Sequence, residues 1–107
     1  MIYTLTVLYI KDKKIVDRRC WGYFFKSSDA ERCIMENGGD IYEQGSYNYA
    51  VIEGVPEGIL TTCEIEKWYY IHFNIWTKRS NYEGDTYVIK GIEKPEFLKR
   101  VVGFAMG

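Results

Sequence analysis

From residue 2 to residue 10 the side chains fall into two alternating sets. Tyr3, Leu5, Val7 and Tyr9 form one set; Ile2, Thr4, Thr6, Leu8 and Ile10 form the other. A period of two, rich in β-branched and aromatic residues, predicts a strand, because successive side chains leave opposite faces of an extended backbone. Lys11-Asp12-Lys13-Lys14 is polar and has the length of a hairpin loop. Residues 15–25 resume extended character with Ile15, Val16, Trp21, Tyr23, Phe24 and Phe25. The opening quarter of the chain therefore predicts a β-hairpin. Gly22, inside its second strand, marks either a bulge or a close backbone approach.

The pattern then changes period. Ser28 with Glu31 three residues on reads as a capping box, and Ala30, Cys33, Ile34 and Asn37 fall on one helical stripe. Asn37-Gly38-Gly39 stops the helix, since Asn and Gly tolerate the left-handed backbone of a C-cap. About ten helical residues are too few to be stable alone, so this helix must dock on a sheet.

After a connecting segment at 40–45, residues 46–53 alternate again, with Tyr47, Tyr49 and Val51 against Asn48, Ala50 and Ile52. Gly54, Pro56 and Gly58 break that strand. Residues 65–76 carry the clearest two-sided pattern. Tyr69, Ile71, Phe73 and Ile75 make an apolar face, and Trp68, Tyr70, His72, Asn74 and Trp76 make a polar-tipped aromatic one. Residues 80–85 read as a turn, and Thr86 to Lys90 as a last strand antiparallel to the previous one. Pro95 suits the first turn of a short helix over Glu96 to Arg100, and the apolar tail at 101–106 is expected to pack back on the domain. The order β-β-α-β-β-β-α predicts an α+β fold: a two-layer sandwich of a mostly antiparallel sheet with one main helix on one face. A chain of 107 residues fits one domain, 1–107.

Composition sharpens this in two places. Aromatic residues are 17% of the chain, with ten Tyr and three Trp. Their mixture of apolar area and polar tip suits half-exposed surfaces better than a pure core, so part of that surplus is expected outside. A net charge of −1 lacks the basic surplus of a duplex-binding protein, which argues against general nucleic-acid binding. It leaves room for a local basic pocket around a small phosphorylated ligand. The N-terminus lacks the layout of a signal peptide, and no apolar run approaches the roughly eighteen residues of a membrane span. A cytoplasmic protein without membrane contact is the expectation.

Catalytic and metal motifs are absent from the sequence: no phosphate loop, no nucleophile elbow, no HExxH and no EF-hand. Cys20, Cys33 and Cys63 have no CxxC spacing and read as reduced structural thiols. Glu64 and Glu66 share a strand face and could act as acid and base, or be an exposed strand start. Asp40 and Glu43 could ligate a metal, or be ordinary loop residues. His72, the one histidine, is either a structural residue bonded to a neighbour or a ligand contact. The expectation is a protein without enzymatic activity, metal or cofactor. The stripe Trp68, Tyr70, His72 and Trp76 is either core or interface, or a groove where planar groups stack. Arg18 and Arg19, beside Trp21, could complete such a groove with a phosphate-binding fork. They alternate on their strand, so only one can face a given ligand.

The runs Cys20-Trp21-Gly22-Tyr23-Phe24, Asp29-Ala30-Glu31, Asp40-Ile41-Tyr42-Glu43, Tyr47 to Glu53, Glu57-Gly58-Ile59 and Lys67-Trp68-Tyr69 resemble small uncharacterised proteins of phages, prophages and gut bacteria. So do Asn37, Lys94-Pro95-Glu96 and Phe104 to Gly107. That group has no assigned catalytic residues to carry over. The resemblance implies a stoichiometric anti-defence role. The first form is sequestration of a small nucleotide-like signal by Trp68, Tyr70, His72, Trp76, Arg18, Arg19 and Trp21, with a homodimer site open. The alternative is an anti-CRISPR-like inhibitor that blocks a host defence protein by direct binding.

Overall fold

The computed structural model describes residues 1–36, 38, 41–42, 46–56, 65–74 and 86–98. They form β1 (Ile2–Lys11), β2 (Lys14–Phe24), α1 (Ser27–Met35), β3 (Tyr49–Val55), β4 (Ile65–Asn74) and β5 (Thr86–Ile92), then a short 3-10 turn at Glu96–Leu98. The strands make one sheet in the order β2-β1-β3-β4-β5, antiparallel at every pairing. The predicted order of elements and the α+β class hold, although the closing helix is only a 3-10 turn. The segments at 75–85 and 99–107, including the predicted turn, Trp76 and the apolar tail, lie outside the described residues.

The hairpin closes through Asp12 and Lys13, both with positive φ (53° and 62°). Two left-handed residues give the turn whose twist matches that of the flanking strands. The ladder between β1 and β2 slips twice, at Leu5/Thr6 and at Tyr9/Ile10. Each slip leaves one β2 residue unmatched, Trp21 and Val16 respectively. Gly22 therefore lies beside a bulge rather than at a close approach, since a Cβ built there meets nothing within 4 Å.

Helix α1 begins at Ser27, within the predicted Ser27-Ser28 start, and its N-cap residue Lys26 makes no side-chain capping bond. Glu31 does not turn back to close the expected capping box. Its carboxylate instead accepts a 2.6 Å hydrogen bond from the Tyr69 hydroxyl on β4, tying helix to sheet. The predicted stop holds at Gly38, whose N–H donates to the Cys33 carbonyl at 3.0 Å. A Cβ at Gly38 would come within 3.3 Å of the Cys33 sulfur.

The principal core lies between helix and sheet, where Leu5, Val7, Ala30, Ile34, Ala50 and Ile52 are completely buried. Ile41 and Tyr42, from the segment predicted only as a connection, fill it too, and the Tyr42 hydroxyl donates to the Ile34 carbonyl at 2.7 Å. The third strand starts at Tyr49 rather than 46, because Asn48 is used differently. Its side-chain amide both accepts from the Ile10 N–H and donates to the Ile10 carbonyl, each at 2.9 Å. One side chain thus replaces a ladder partner where β1 slips.

A second, smaller core sits on the other side of the sheet. Residues after β5 fold back across that far face. Lys94 reaches the Glu66 carboxylate at 3.0 Å, and Leu98 packs with Leu8, Ile10, Val51 and Trp68. The two-layer picture thus gains a short strap over part of the face opposite the helix.

Candidate binding site on the far face of the sheet

The pairing register assigns each predicted site residue to a position. Arg18, Leu8, Tyr49, Tyr70 and Lys90 form one continuous row across all five strands. Leu8 belongs to the far-face core, so the row runs across that face with a cation at either end. The Tyr49 and Tyr70 rings meet edge-on, 5.2 Å apart at 67°. The Tyr49 phenol is pushed above its ordinary pKa, first by burial and then by Tyr70 beside it. One row along, His72 pairs with Val88. Tyr70, His72, Val88 and Lys90 together line a hollow of about 200 Å³.

Trp68 does not belong to this open surface. It is only 3% exposed, beneath the strap, and its indole N–H donates to Glu66 at 2.6 Å. The reading of Trp68 as a stacking platform is corrected here: its ring is consumed by the domain's own second core. Leu98, far away in sequence, belongs to the same buried cluster.

The basic residues are separated as well. Arg18 is on the far face, but three inter-strand steps from β4, or roughly 14 Å at about 4.8 Å per step. That distance takes it out of the Tyr70 hollow. Arg19 pairs with Val7, whose side chain lies in the helix-side core, so it sits on the opposite face. Its guanidinium lies 5.8 Å from the Trp21 ring centroid, a cation–π pair. Among the described residues of the predicted ligand-binding set, Tyr70 and His72 share this hollow, and Arg19 and Trp21 meet as a separate pair away from it. Trp76, Glu64, Asp40 and Glu43 lie outside the described residues.

Two residues of the hollow were missed. Lys90 and Val88 sit on a strand whose sequence is short and unremarkable; only its register against β4 places them beside Tyr70 and His72. Described residues also line two larger hollows. One, of about 540 Å³, is lined by Glu31, Glu66, Tyr69, Ile92 and neighbours; the other, of about 430 Å³, by Asp29, Arg32, Cys33, Glu36 and neighbours. In the first, Glu31 and Glu66 are already engaged by Tyr69, Trp68 and Lys94. In the second, burial raises the Cys33 thiol pKa, with the Gly38 backbone opposing and Glu36 adding to the rise, which removes nucleophilic character. The small hollow combines imidazole, phenol and ammonium groups, with no carboxylate in its described lining. Chemically it can stack a planar group against Tyr70 and hold a negative charge at Lys90.

Among the described residues no group of three or more His, Cys, Asp or Glu side chains could hold a metal ion, and no helix is long and apolar enough to cross a membrane. No family model, curated protein or solved structure matches the chain.

Proposed function

We propose that the protein is a non-enzymatic binding module whose Tyr49–Tyr70–His72–Lys90 surface seats part of a small nucleotide-like ligand. The observation that carries this reading is the cross-strand placement of Lys90 beside Tyr70, with His72 completing one open hollow. A volume of about 200 Å³ is below the roughly 300–1,000 Å³ typical of sites that engulf a drug-sized ligand. It suits a single base or phosphate, with the rest of the ligand lying over Tyr49. Capture is the reading favoured by a described lining that offers a cation and rings, with no carboxylate among the described residues to pair with His72 as acid and base. In the setting that the phage resemblance implies, such a module acts stoichiometrically, withdrawing a signal used in host defence.

Titration with a panel of mono-, di- and cyclic nucleotides, read by melting temperature and calorimetry, tests the reading. A ligand at 100 times its Kd adds about 2.7 kcal/mol of stability. Lys90→Glu should erase that gain without lowering the unliganded melting temperature, and Tyr70→Ala should erase it with a modest drop from the lost Tyr49 contact. A panel in which no member shifts the melt defeats the proposal.

A further inference from the structure

We propose that the outer margin of the β1–β2 hairpin is a second, independent binding surface, and that its partner is single-stranded nucleic acid. Two observations coincide there. The first is charge. Between residues 11 and 26 lie six cations, Lys11, Lys13, Lys14, Arg18, Arg19 and Lys26, against two carboxylates, Asp12 and Asp17, although the whole chain stands at −1. The near-neutral total hides a segregated field, and the strand order puts this hairpin at one edge of the sheet. The second is exposed apolar area. On and just after β2, Val16 is 59% exposed, Trp21 36%, Tyr23 64% and Phe25 74%. The Tyr23 and Phe25 rings stand 6.0 Å apart at 84°.

Charge alone has a plain explanation, since edge strands commonly carry cations that discourage pairing with other sheets. Exposed rings work against that purpose, so they need a separate cause. The two bulges supply the geometry. They reverse the facing of residues beyond them, so Arg18, Cys20 and Tyr23, opposite Leu8, Thr6 and Thr4, share the far face. Without the bulge at Trp21, Tyr23 would point the other way. The result is a track with cations at the turn end, Arg18 midway, and Tyr23 with Phe25 and Lys26 at the other end. Eleven residues at about 3.3 Å each give it a length of roughly 35 Å, which suits a linear polymer.

Alternative occupants fit less well. A second copy meeting this edge would set one cationic strand against another. An added peptide strand needs a continuous row of backbone groups, and the bulges at Val16 and Trp21 interrupt it. A single-stranded polyanion requires neither; it needs charge along its path and rings for its bases. Duplex DNA keeps its bases stacked and offers nothing to Tyr23 and Phe25.

Fluorescence anisotropy with a labelled oligothymidylate of about twelve nucleotides tests this. Binding is expected at about 50 mM salt. If four phosphates are contacted, affinity falls about 50-fold on moving to about 200 mM. Tyr23→Ala with Phe25→Ala should weaken binding by about 5- to 150-fold per stacked base lost, with an unchanged melting temperature because both rings are exposed. Arg18→Glu should weaken it and flatten the salt dependence. Met35→Ala, an exposed apolar change on the helix, should leave it intact. The proposal is overturned by absence of binding at low salt, by undiminished binding in the Tyr23/Phe25 variant, or by equal competition from duplex of the same length or from polyglutamate. None of these outcomes bears on nucleotide capture at Tyr70, which uses other residues.

Discussion

Two polar residues of the β1–β3 neighbourhood, Asn48 half-buried and Thr6 buried, behave in opposite ways. Asn48 makes both of its hydrogen bonds to the Ile10 backbone. Thr6 is completely buried, and its hydroxyl has no hydrogen-bond partner among the described residues. An unmade bond costs more than a made bond contributes, because the stranded group has lost its water. Asn48→Leu strands the Ile10 N–H and carbonyl and should therefore cost about 2–3 kcal/mol in urea unfolding. Thr6→Val removes an orphan hydroxyl at nearly constant shape, and should be neutral or stabilising by up to about 1 kcal/mol in the same measurement. If Thr6→Val were the more damaging of the two, the hydroxyl would have a partner that this account lacks. Neither role was legible in sequence. Thr6 reads as one more β-branched strand residue, and Asn48 as one position in an alternating strand, until the slip in β1 creates the gap it fills.

At the level of elements, the strap after β5 decides what the far face can do. Lys94 anchors it at Glu66, and Leu98 closes over Trp68. Truncating a buried leucine costs about 2–5 kcal/mol when the site cannot collapse. A short strap with described anchors at the Lys94–Glu66 ion pair and at Leu98 has a cheaper response, which is to detach locally while the sheet stays folded. Lys94→Ala combined with Leu98→Ala should shift Trp68 emission to the red and raise acrylamide quenching, with a smaller loss of global stability than a full core cavity gives. Emission unchanged from wild type would show that the strap is not what buries Trp68. The sequence signalled this element only through Pro95, and a short turn has no periodicity from which to read its partners.

For the molecule as a whole, the link between helix and sheet makes stability depend on alkaline pH. Tyr69 is held well above its ordinary pKa, first by burial and then by the hydrogen bond to, and the negative charge of, Glu31; Tyr49 is raised by burial and by Tyr70. A free phenol ionises near pH 10. Because the folded values are higher, the unfolded chain loses these protons first as pH rises. Their contribution is thus intact below about pH 10 and declines as pH climbs through the folded values. Melting temperatures should hold level from neutral pH to about 9 and then drop. Tyr69→Phe should start slightly lower, by about 1 kcal/mol for the lost bond, and fall less steeply above pH 10. Parallel alkaline limbs in the two proteins would contradict the role given to Tyr69.

Element type and order were determined by the chain itself. A two-residue period and a helical stripe, each ended by Gly, Pro or Asn, are local properties, and local sterics suffice to produce them. Tyr69 and Ile71 likewise faced the helix as the alternation of their strand required. What tertiary structure decided was adjacency. Lys90 meets Tyr70, Arg18 lies far from both, and Tyr23 turns toward the far face, because pairing register and two single-residue bulges set those positions. Trp68 was drawn into a second core shared with Leu8, Ile10, Val51 and the distant Leu98. A bulge or a strap shifts position by one residue or one turn, too little to disturb any sequence pattern, yet enough to move a side chain from one face of a sheet to the other.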